Sequence, residues 1–472
     1  MLEHIIYILP IVILLTGSIL LTIFDFQTEQ NSRCFKLCKW ILLLSFALTI
    51  IFYNKPIING ITSANRYLVF FQSLLYIGAL IVLYLSRKWF ISAKQPAQQF
   101  CYGLLLTVLS GELLIVSRHL ALTVGAVILA IYGYSWLLKN AGSKKQNNQI
   151  ALIYVISGLV CSICLVIATA VLYWHCGVLS YTQLATCIEI NRHQLPVFIA
   201  TIVLIFGFLF LLGMAPLHYW FTEILGNVRL PIFSLFILLP SCAYWIGFLR
   251  LNLKLLAFIT PSLQLFYIGI AFFSLAIGAI GAGSCRNLRK ILAYSVVFQY
   301  GLMMLVLQNF NVYSVFVALF YWVIFILTMY ALCSILFGLK NKGDYMFMLN
   351  EFSGLGHKKP FLAAVLTLLT FSLMGFPPLF GFAGLFSIFN YLILSHHYYQ
   401  IVYIVVMLMV LGYAYLQTVK SLYFDGNKEI LDRTDVGIYV LITAILGVLF
   451  VFLLHSAVWF DDLNLLVEAI AA

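Results

Sequence analysis

Apolar runs follow one another along the chain, separated by short polar stretches, and none of them alternates with a period of two. A run of about 17 to 25 such residues covers roughly 30 Å of hydrocarbon as a helix, whereas a membrane strand would alternate apolar and polar positions. The pattern predicts fourteen helical spans: Leu2 to Phe24, Trp40 to Phe52, Tyr67 to Leu85, Tyr102 to Val116, Leu120 to Leu138, Ile150 to Tyr173, Val197 to Leu212, Pro231 to Phe248, Leu263 to Ala282, Ile291 to Leu307, Val312 to Phe337, an interrupted one from Phe361 to Leu394, Ile401 to Leu416, and Val436 to Leu454. A run as short as Trp40 to Phe52 must borrow flanking residues to cross. The first carries no cleavage signature and passes straight into a basic loop, so it is expected to persist as a helix.

Composition agrees with the pattern. Of 472 residues, 64% are hydrophobic and 9% charged, and the mean hydropathy is +1.07, outside the balance of a soluble globular domain. Charge then sorts the loops, because Lys and Arg concentrate on the cytoplasmic face. Odd-numbered loops hold Arg33, Lys36, Lys39, Arg87, Lys88, Lys94, Lys139, Lys144, Lys145, Arg229, Arg286, Arg289, Lys290, Lys340, Lys342, Lys358, Lys359, Lys420, Lys428 and Arg433, which is 20 of the 26 basic residues. Lys55, Arg66, Arg118, Arg192, Arg250 and Lys254 fall in even-numbered loops. Odd loops are therefore expected inside and both termini outside. Topology and anionic headgroups account for the net charge of +11, and no nucleic acid is called for. All 26 basic residues sort into loops or span ends, although a proton or cation transporter is expected to bury ionisable groups along its path.

Two spans are interrupted alike, the seventh at Gly213-Met-Ala-Pro216 and the twelfth at Gly375-Phe-Pro377-Pro378-Leu-Phe-Gly-Phe-Ala-Gly384. Proline removes a helix hydrogen bond and glycine lets the backbone turn. Freed backbone groups at membrane depth are tolerated only where they face protein or a wet cavity. A lone proline kink is ordinary in a membrane helix. Paired interruptions in corresponding positions of two halves are the mark of a repeat-built transporter with its site at the midplane.

The stretches GMAPLHYWFTEILGNVRLP (Gly213 to Pro231), NLRKILAYSVVFQYGLMM (Asn287 to Met304), FSGLGHKKP (Phe352 to Pro360) and SLMGFPPLFGFAGLF (Ser372 to Phe386) occur in that order. In residues and spacing the chain resembles, over nearly its whole length, the antiporter-like membrane subunits of respiratory complex I. The span count, the outside termini and the G-x-P-P-x-x-G-F stretch look most like the N type, called subunit 2 in mitochondria. The Q-x-G at Gln299 to Gly301 is closer to the L and M types and to subunits of Mrp cation/proton antiporters.

The resemblance implies an all-α polytopic membrane protein of about 14 transmembrane helices. It would contain two inverted five-helix repeats, spans four to eight and nine to thirteen, each with one broken helix. The chain would divide into N-terminal helices (1–100), a first repeat (101–250), a second repeat (251–425), and a C-terminal helix and tail (426–472). It also implies a central row of buried charges that moves protons, in which a glutamate on the fifth span pairs with a lysine on the seventh and lysines on the sixth, eighth and twelfth continue the row. Carried over position by position, the row is missing. The glutamate falls on Ile128, or on Val127 if the register slips by one, and the lysines fall on Leu211, Ile153, Ser241 and Leu385. Ser241 can hold a water but cannot carry a proton charge.

Other polar residues remain near the spans. His218 matches a family histidine; it can pass a proton near neutral pH or simply satisfy broken-helix backbone. Glu223 matches a family acidic residue, with pairing to Arg229 or helix capping as its expected role. Glu112 lies inside the fourth span with no basic residue until Arg118. It is expected either to handle a proton or pair with a partner, or to snorkel or pair with Arg118. Tyr294, Ser295 and Gln299 offer hydroxyl and amide groups, for which helix-to-helix hydrogen bonding is the leading expectation. Glu112, His218, Ser241 and Gln299 are thus the proton-path candidates, and Gly213, Pro216, Gly375, Pro377 and Pro378 shape the breaks. The ten cysteines fall mostly within spans, Cys161 and Cys164 forming a CxxC in the sixth, and are read as small buried apolar residues. His396-His397-Tyr398-Tyr399 reads as an interfacial aromatic belt.

No nucleotide loop, flavin motif or iron-sulfur cysteine set is present in the sequence. The resemblance implies the function of a non-redox membrane-arm subunit of a proton-translocating NADH:quinone oxidoreductase, expected here with a degenerate proton path and a mainly structural or coupling role. The alternative is a diverged Mrp-type cation/proton antiporter subunit. The resemblance puts NADH, FMN, iron-sulfur clusters and quinone on partner subunits, with no cofactor or metal on this chain. It makes other membrane subunits and the lipid bilayer its partners, in a bacterial or mitochondrial inner membrane.

Overall fold

The computed structural model describes residues 2–23, 31–51, 66–93, 95–139, 144–191, 193–255, 260–341, 343–424 and 432–454. Lys55, Lys94, Arg192, Lys342 and Lys428, sorted by side above, lie outside the described residues. The helices in chain order are α1 (Leu2–Ile23), α2 (Asn31–Ile51), α3 (Arg66–Ser92), α4 (Gln98–Val116), α5 (Leu120–Lys139), α6 (Lys144–Cys176), α7 (Tyr181–Ile190), α8 (Leu195–Leu211), α9 (Tyr219–Asn227), α10 (Leu230–Lys254), α11 (Thr260–Ser284), α12 (Leu288–Val306), α13 (Val312–Gly338), α14 (Leu355–Lys358), α15 (Pro360–Met374), α16 (Phe380–Leu394), α17 (Tyr398–Tyr423) and α18 (Val436–Leu454). Among the described residues, 11 helices are long and apolar enough to cross a membrane. A two-residue antiparallel pair, β1 (Lys340–Asn341) with β2 (Asp344–Tyr345), is confined to a connection.

The chain falls into two compact units. The first holds α1 to α8 and α10. Its inner helix is α10, in which every residue from Leu230 to Asn252 is buried. Phe236 of α10 packs on the rings of Tyr134 and Tyr154, and Phe248 on Phe208. The second unit holds α9 and α11 to α18. Its inner helix is α13, buried from Ser314 to Gly338 and surrounded by α12, α15, α16 and α18. Lipid is as apolar as these side chains, so close packing and internal hydrogen bonds hold such helices together. Asn287 and Asn311 cap α12 and α13, accepting from the amides of Arg289 (3.0 Å) and Ser314 (2.6 Å).

Three differences from the sequence reading have clear causes. The short second run borrows on its N-terminal side: α2 starts at Asn31 and carries Arg33, Lys36 and Lys39 on its exposed face, because a helix keeps its own hydrogen bonds while long basic side chains reach for the headgroups. Arg250, placed above in a loop, lies within α10 and is 1% exposed. The connection between α6 and α8 contains a helix of its own, α7, tied to the end of α6 by a disulfide between Cys176 and Cys187. Cys161 and Cys164 are not joined; the first is buried and the second exposed.

The interrupted twelfth run becomes α15 and α16, with Gly381 at the close approach between them. A Cβ at Gly381 would stand 1.6 Å from the Ser372 carbonyl oxygen, which is backbone and cannot swing away. At Gly269, in α11, an added Cβ meets nothing within 4 Å. Gly381→Ala is therefore expected to destabilise the protein by about 1 to 3 kcal/mol, and Gly269→Ala to leave it within about 0.5 kcal/mol. Thermal unfolding of the two purified variants in detergent makes the comparison, and equal melting of the two would show that the close approach is wrong.

Candidate functional site

The two breaks are built alike. At the first, α8 ends at Leu211, and Gly213 takes a left-handed conformation at φ 65°. Met214 and Ala215 are fully buried. The Ala215–Pro216 peptide is cis, and His218 caps α9. The Ala215 amide donates to Ser274 Oγ of α11 at 3.1 Å. At the second, the amides of Gly375 (φ 78°) and Phe376 return to the carbonyls of Ser372 (2.9 Å) and Phe371 (3.1 Å), the left-handed glycine closure of a helix. The Pro377–Pro378 peptide is cis. Gln299 Nε2 of α12 donates to the Leu373 carbonyl at 3.0 Å, and the Gly381 amide to Ser372 Oγ at 2.8 Å. In both breaks a left-handed glycine stands three residues before the second residue of a cis peptide, and a buried side chain from another helix takes up a freed backbone group.

The remaining polar interior is neutral in the second unit. The Tyr321 hydroxyl donates to Gln299 Oε1, and the Tyr415 hydroxyl to Ser295 Oγ at 2.7 Å. Gln299 thus uses both its amide nitrogen and its amide oxygen, joining α12 to α13 and to the break. The helix-to-helix role expected of Ser295 and Gln299 is the one they have here, and Tyr294 stands with its ring centroid 6.3 Å from that of His218. His218 is half-buried, and its Nδ1 is buried with no hydrogen-bond partner among the described residues. At the mouth of the first break Glu223 pairs with Lys290 at 3.1 Å and also accepts from Asn227 at 2.9 Å. The α12 start comes alongside α9 and brings Lys290 within reach, a tertiary neighbour invisible in the local sequence. Arg289 donates to the Val228 carbonyl and stacks 3.6 Å from the Phe347 ring centre.

In the first unit Glu112 is 0% exposed. Its Oε1 accepts from Gln72 Nε2 of α3 at 2.7 Å, so it neither snorkels nor turns to Arg118 for that bond. Its Oε2 is buried, near the Tyr76 hydroxyl one turn further along α3. Arg250 Nη1 donates to the carbonyl of Ile115 in the last turn of α4, where carbonyls lack helical partners and a cation is favoured. Among the described residues Glu112 and Arg250 are the two fully buried charged side chains. Sequence reading missed Arg250 because the apolar run was ended at Phe248; the apolar neighbours Leu249 and Leu251 were the available signal.

The positions at which the resemblance expects a charge row can be located individually. Leu211 and Leu385 are buried, Ile153 half-buried, and Ser241 buried with its hydroxyl donating to the Ile237 carbonyl. Of the two registers for the fifth-span glutamate, Val127 is buried and Ile128 is 40% exposed. Glu112 and Ser241 lie on helices that touch, Gly111 facing Ala243, yet each bonds elsewhere. Gln299 bonds to Leu373 and Tyr321, while His218 lies beside the Tyr294 ring. No group of three or more His, Cys, Asp or Glu able to hold a metal occurs among the described residues.

Comparison with known proteins places this architecture. A family model described as NADH:quinone oxidoreductase/Mrp antiporter, TM, matches residues 119–412. NADH-quinone oxidoreductase subunit N of Beijerinckia indica subsp. indica is 25% identical over 366 residues, 77% of this chain and 76% of that one. A chain of respiratory complex I from Thermus thermophilus with bound aureothin superposes with a TM-score of 0.79 at 21% identity, over 96% of this chain and 99% of that one. A chain of the Mrp complex from Dietzia sp. DQ12-45-1b does so with a TM-score of 0.80 at 15% identity, over the full length of both. The polytopic all-helical class expected from the sequence is the class of these neighbours. With the match running through both breaks, from His119 to Gly412, the chain belongs to the NADH:quinone oxidoreductase/Mrp antiporter family of membrane proteins.

Proposed function

We propose that the chain is the N-type membrane-arm subunit of a proton-translocating NADH:quinone oxidoreductase and that it serves as a structural or coupling element without a proton path of its own. The observation that carries this reading is the chemistry of the interior. Leu211, Leu385 and Ile153 stand where the resemblance expects lysines, and Ser241 stands at the fourth such position. Proton transfer through a dry interior needs groups that gain and lose a proton. Leucine and isoleucine offer none. The Ser241 hydroxyl is bonded to its own helix, and the Gln299 amide is held between the Leu373 carbonyl and the Tyr321 hydroxyl. Gln299 closes the second break and binds neighbouring helices, which suits a rigid spacer.

NADH, FMN, iron-sulfur clusters and quinone then belong to partner subunits, and this chain contributes bilayer-spanning surface to other membrane subunits. The membrane is a bacterial inner membrane or the mitochondrial inner membrane, with both termini on the outer side, as the distribution of 20 of 26 basic residues in odd loops favours. The second reading, a diverged Mrp-type antiporter subunit, draws on Gln299-x-Gly301 and on the fold shared with the Dietzia chain.

Affinity purification of the tagged protein from native membranes in mild detergent, followed by mass spectrometry, separates the two. Peripheral NADH-oxidising and iron-sulfur subunits are expected to copurify; recovery with small membrane proteins alone moves the chain to the Mrp-like reading. The absence of a path is tested in proteoliposomes holding the purified complex. Glu112→Gln and Ser241→Ala are expected to keep proton pumping per NADH oxidised within about twofold of the unaltered complex, under 0.5 kcal/mol in the barrier. A loss of about tenfold or more from Glu112→Gln, with assembly intact, would mean that protons are rerouted through α4.

A further inference from the structure

At one end of the first unit two connections are laced together. The turn after α4 and the turn after α6 pair through His119 and Ser180, with Leu120 N–H donating to the Leu179 carbonyl and Tyr181 N–H to the Arg118 carbonyl, both at 2.9 Å. The Tyr181 hydroxyl lies 2.6 Å from Thr123 Oγ1, itself 3.1 Å from Ser117 Oγ. Arg250 closes α4 at the same end by its bond to Ile115. Across this cap runs the Cys176–Cys187 disulfide, with a Cα separation of 5.8 Å and both residues half-exposed.

The other eight cysteines are free. Cys34, Cys38 and Cys101 are buried free thiols on α2 and α4, helices that pack together. They sit at the start of α2, among Arg33, Lys36 and Lys39, and at the start of α4, the ends that the charge distribution puts inside. Disulfides form and persist where thiols are oxidised and are rare where glutathione and thioredoxin keep them reduced.

We propose that Cys176–Cys187 is a covalent staple formed in the oxidising compartment outside the membrane, so that the cap made by the α4–α5 turn, α7 and the end of α10 faces that compartment. The chemistry needs a protein disulfide as oxidant. One cysteine thiolate attacks the carrier's disulfide, and the other displaces the carrier from the mixed disulfide. Two thiols lose two electrons and two protons, and the carrier leaves as a dithiol. The inference shares the orientation given under the proposed function but not the identity of the complex, so copurification and the labelling below fail separately.

The test uses the full chain in its native membranes. Right-side-out spheroplasts and inverted vesicles are each treated, or not, with a charged, membrane-impermeant phosphine reductant, which is then quenched. Denaturation in light N-ethylmaleimide marks free thiols; full reduction and heavy N-ethylmaleimide mark thiols that were bonded, and mass spectrometry reads the peptides. Untreated membranes are expected to carry heavy label on Cys176 and Cys187 and light label on Cys34, Cys38 and Cys101. The phosphine is expected to convert Cys176 and Cys187 to light label in spheroplasts and not in inverted vesicles. Light label on Cys176 and Cys187 without reductant overturns the staple, and conversion from inverted vesicles alone, or from neither side, overturns its placement.

Discussion

In hydrocarbon no water is available to a backbone amide or carbonyl, and each one left bare costs several kcal/mol. That constraint organises this protein. Unbroken helices meet it within themselves, which is why nearly every described residue within the apolar runs is helical. The two breaks cannot, and there the fold spends its buried polar side chains: Ser274 on the Ala215 amide, Gln299 on the Leu373 carbonyl, and Ser372 on the Gly381 amide. Arg250 answers the same demand at the end of α4. The interior of α13, which has no break, carries the largest continuous packing in the second unit.

The same accounting bears on function. Gln299 and Ser241 are both tied into hydrogen bonds with their surroundings, the feature on which the proposed structural role draws. What is left is Glu112, held by Gln72, and His218 at the entrance to α9, in separate units with separate partners. The chain keeps the two broken helices within the span that matches the family. Those broken helices still turn the chain, shorten the crossing segments and present close backbone contacts such as Gly381 against Ser372, features that serve packing whether or not protons pass.

Hydrophobic periodicity by itself determined the helical class, and the spacing of glycine and proline determined where the two breaks fall, because helix formation and backbone freedom are local properties. The positions at which the resemblance expects a charge row were read from the sequence only by carrying the family's pattern over onto it. What the tertiary structure decided is everything that depends on which helix lies next to which. Lys290, 67 residues along the chain from Glu223, becomes its partner, Gln72 takes the carboxylate of Glu112, and Val127 rather than Ile128 turns inward. Cys176 finds Cys187, and the apolar surroundings of Arg250 conceal an end-of-helix cap that sequence alone had set in a loop. The physical reason is common to all of them: the pattern of apolar residues selects a helix and its length, but a partial rotation about the axis, or the choice of neighbour, leaves that pattern unchanged while altering the polar partners.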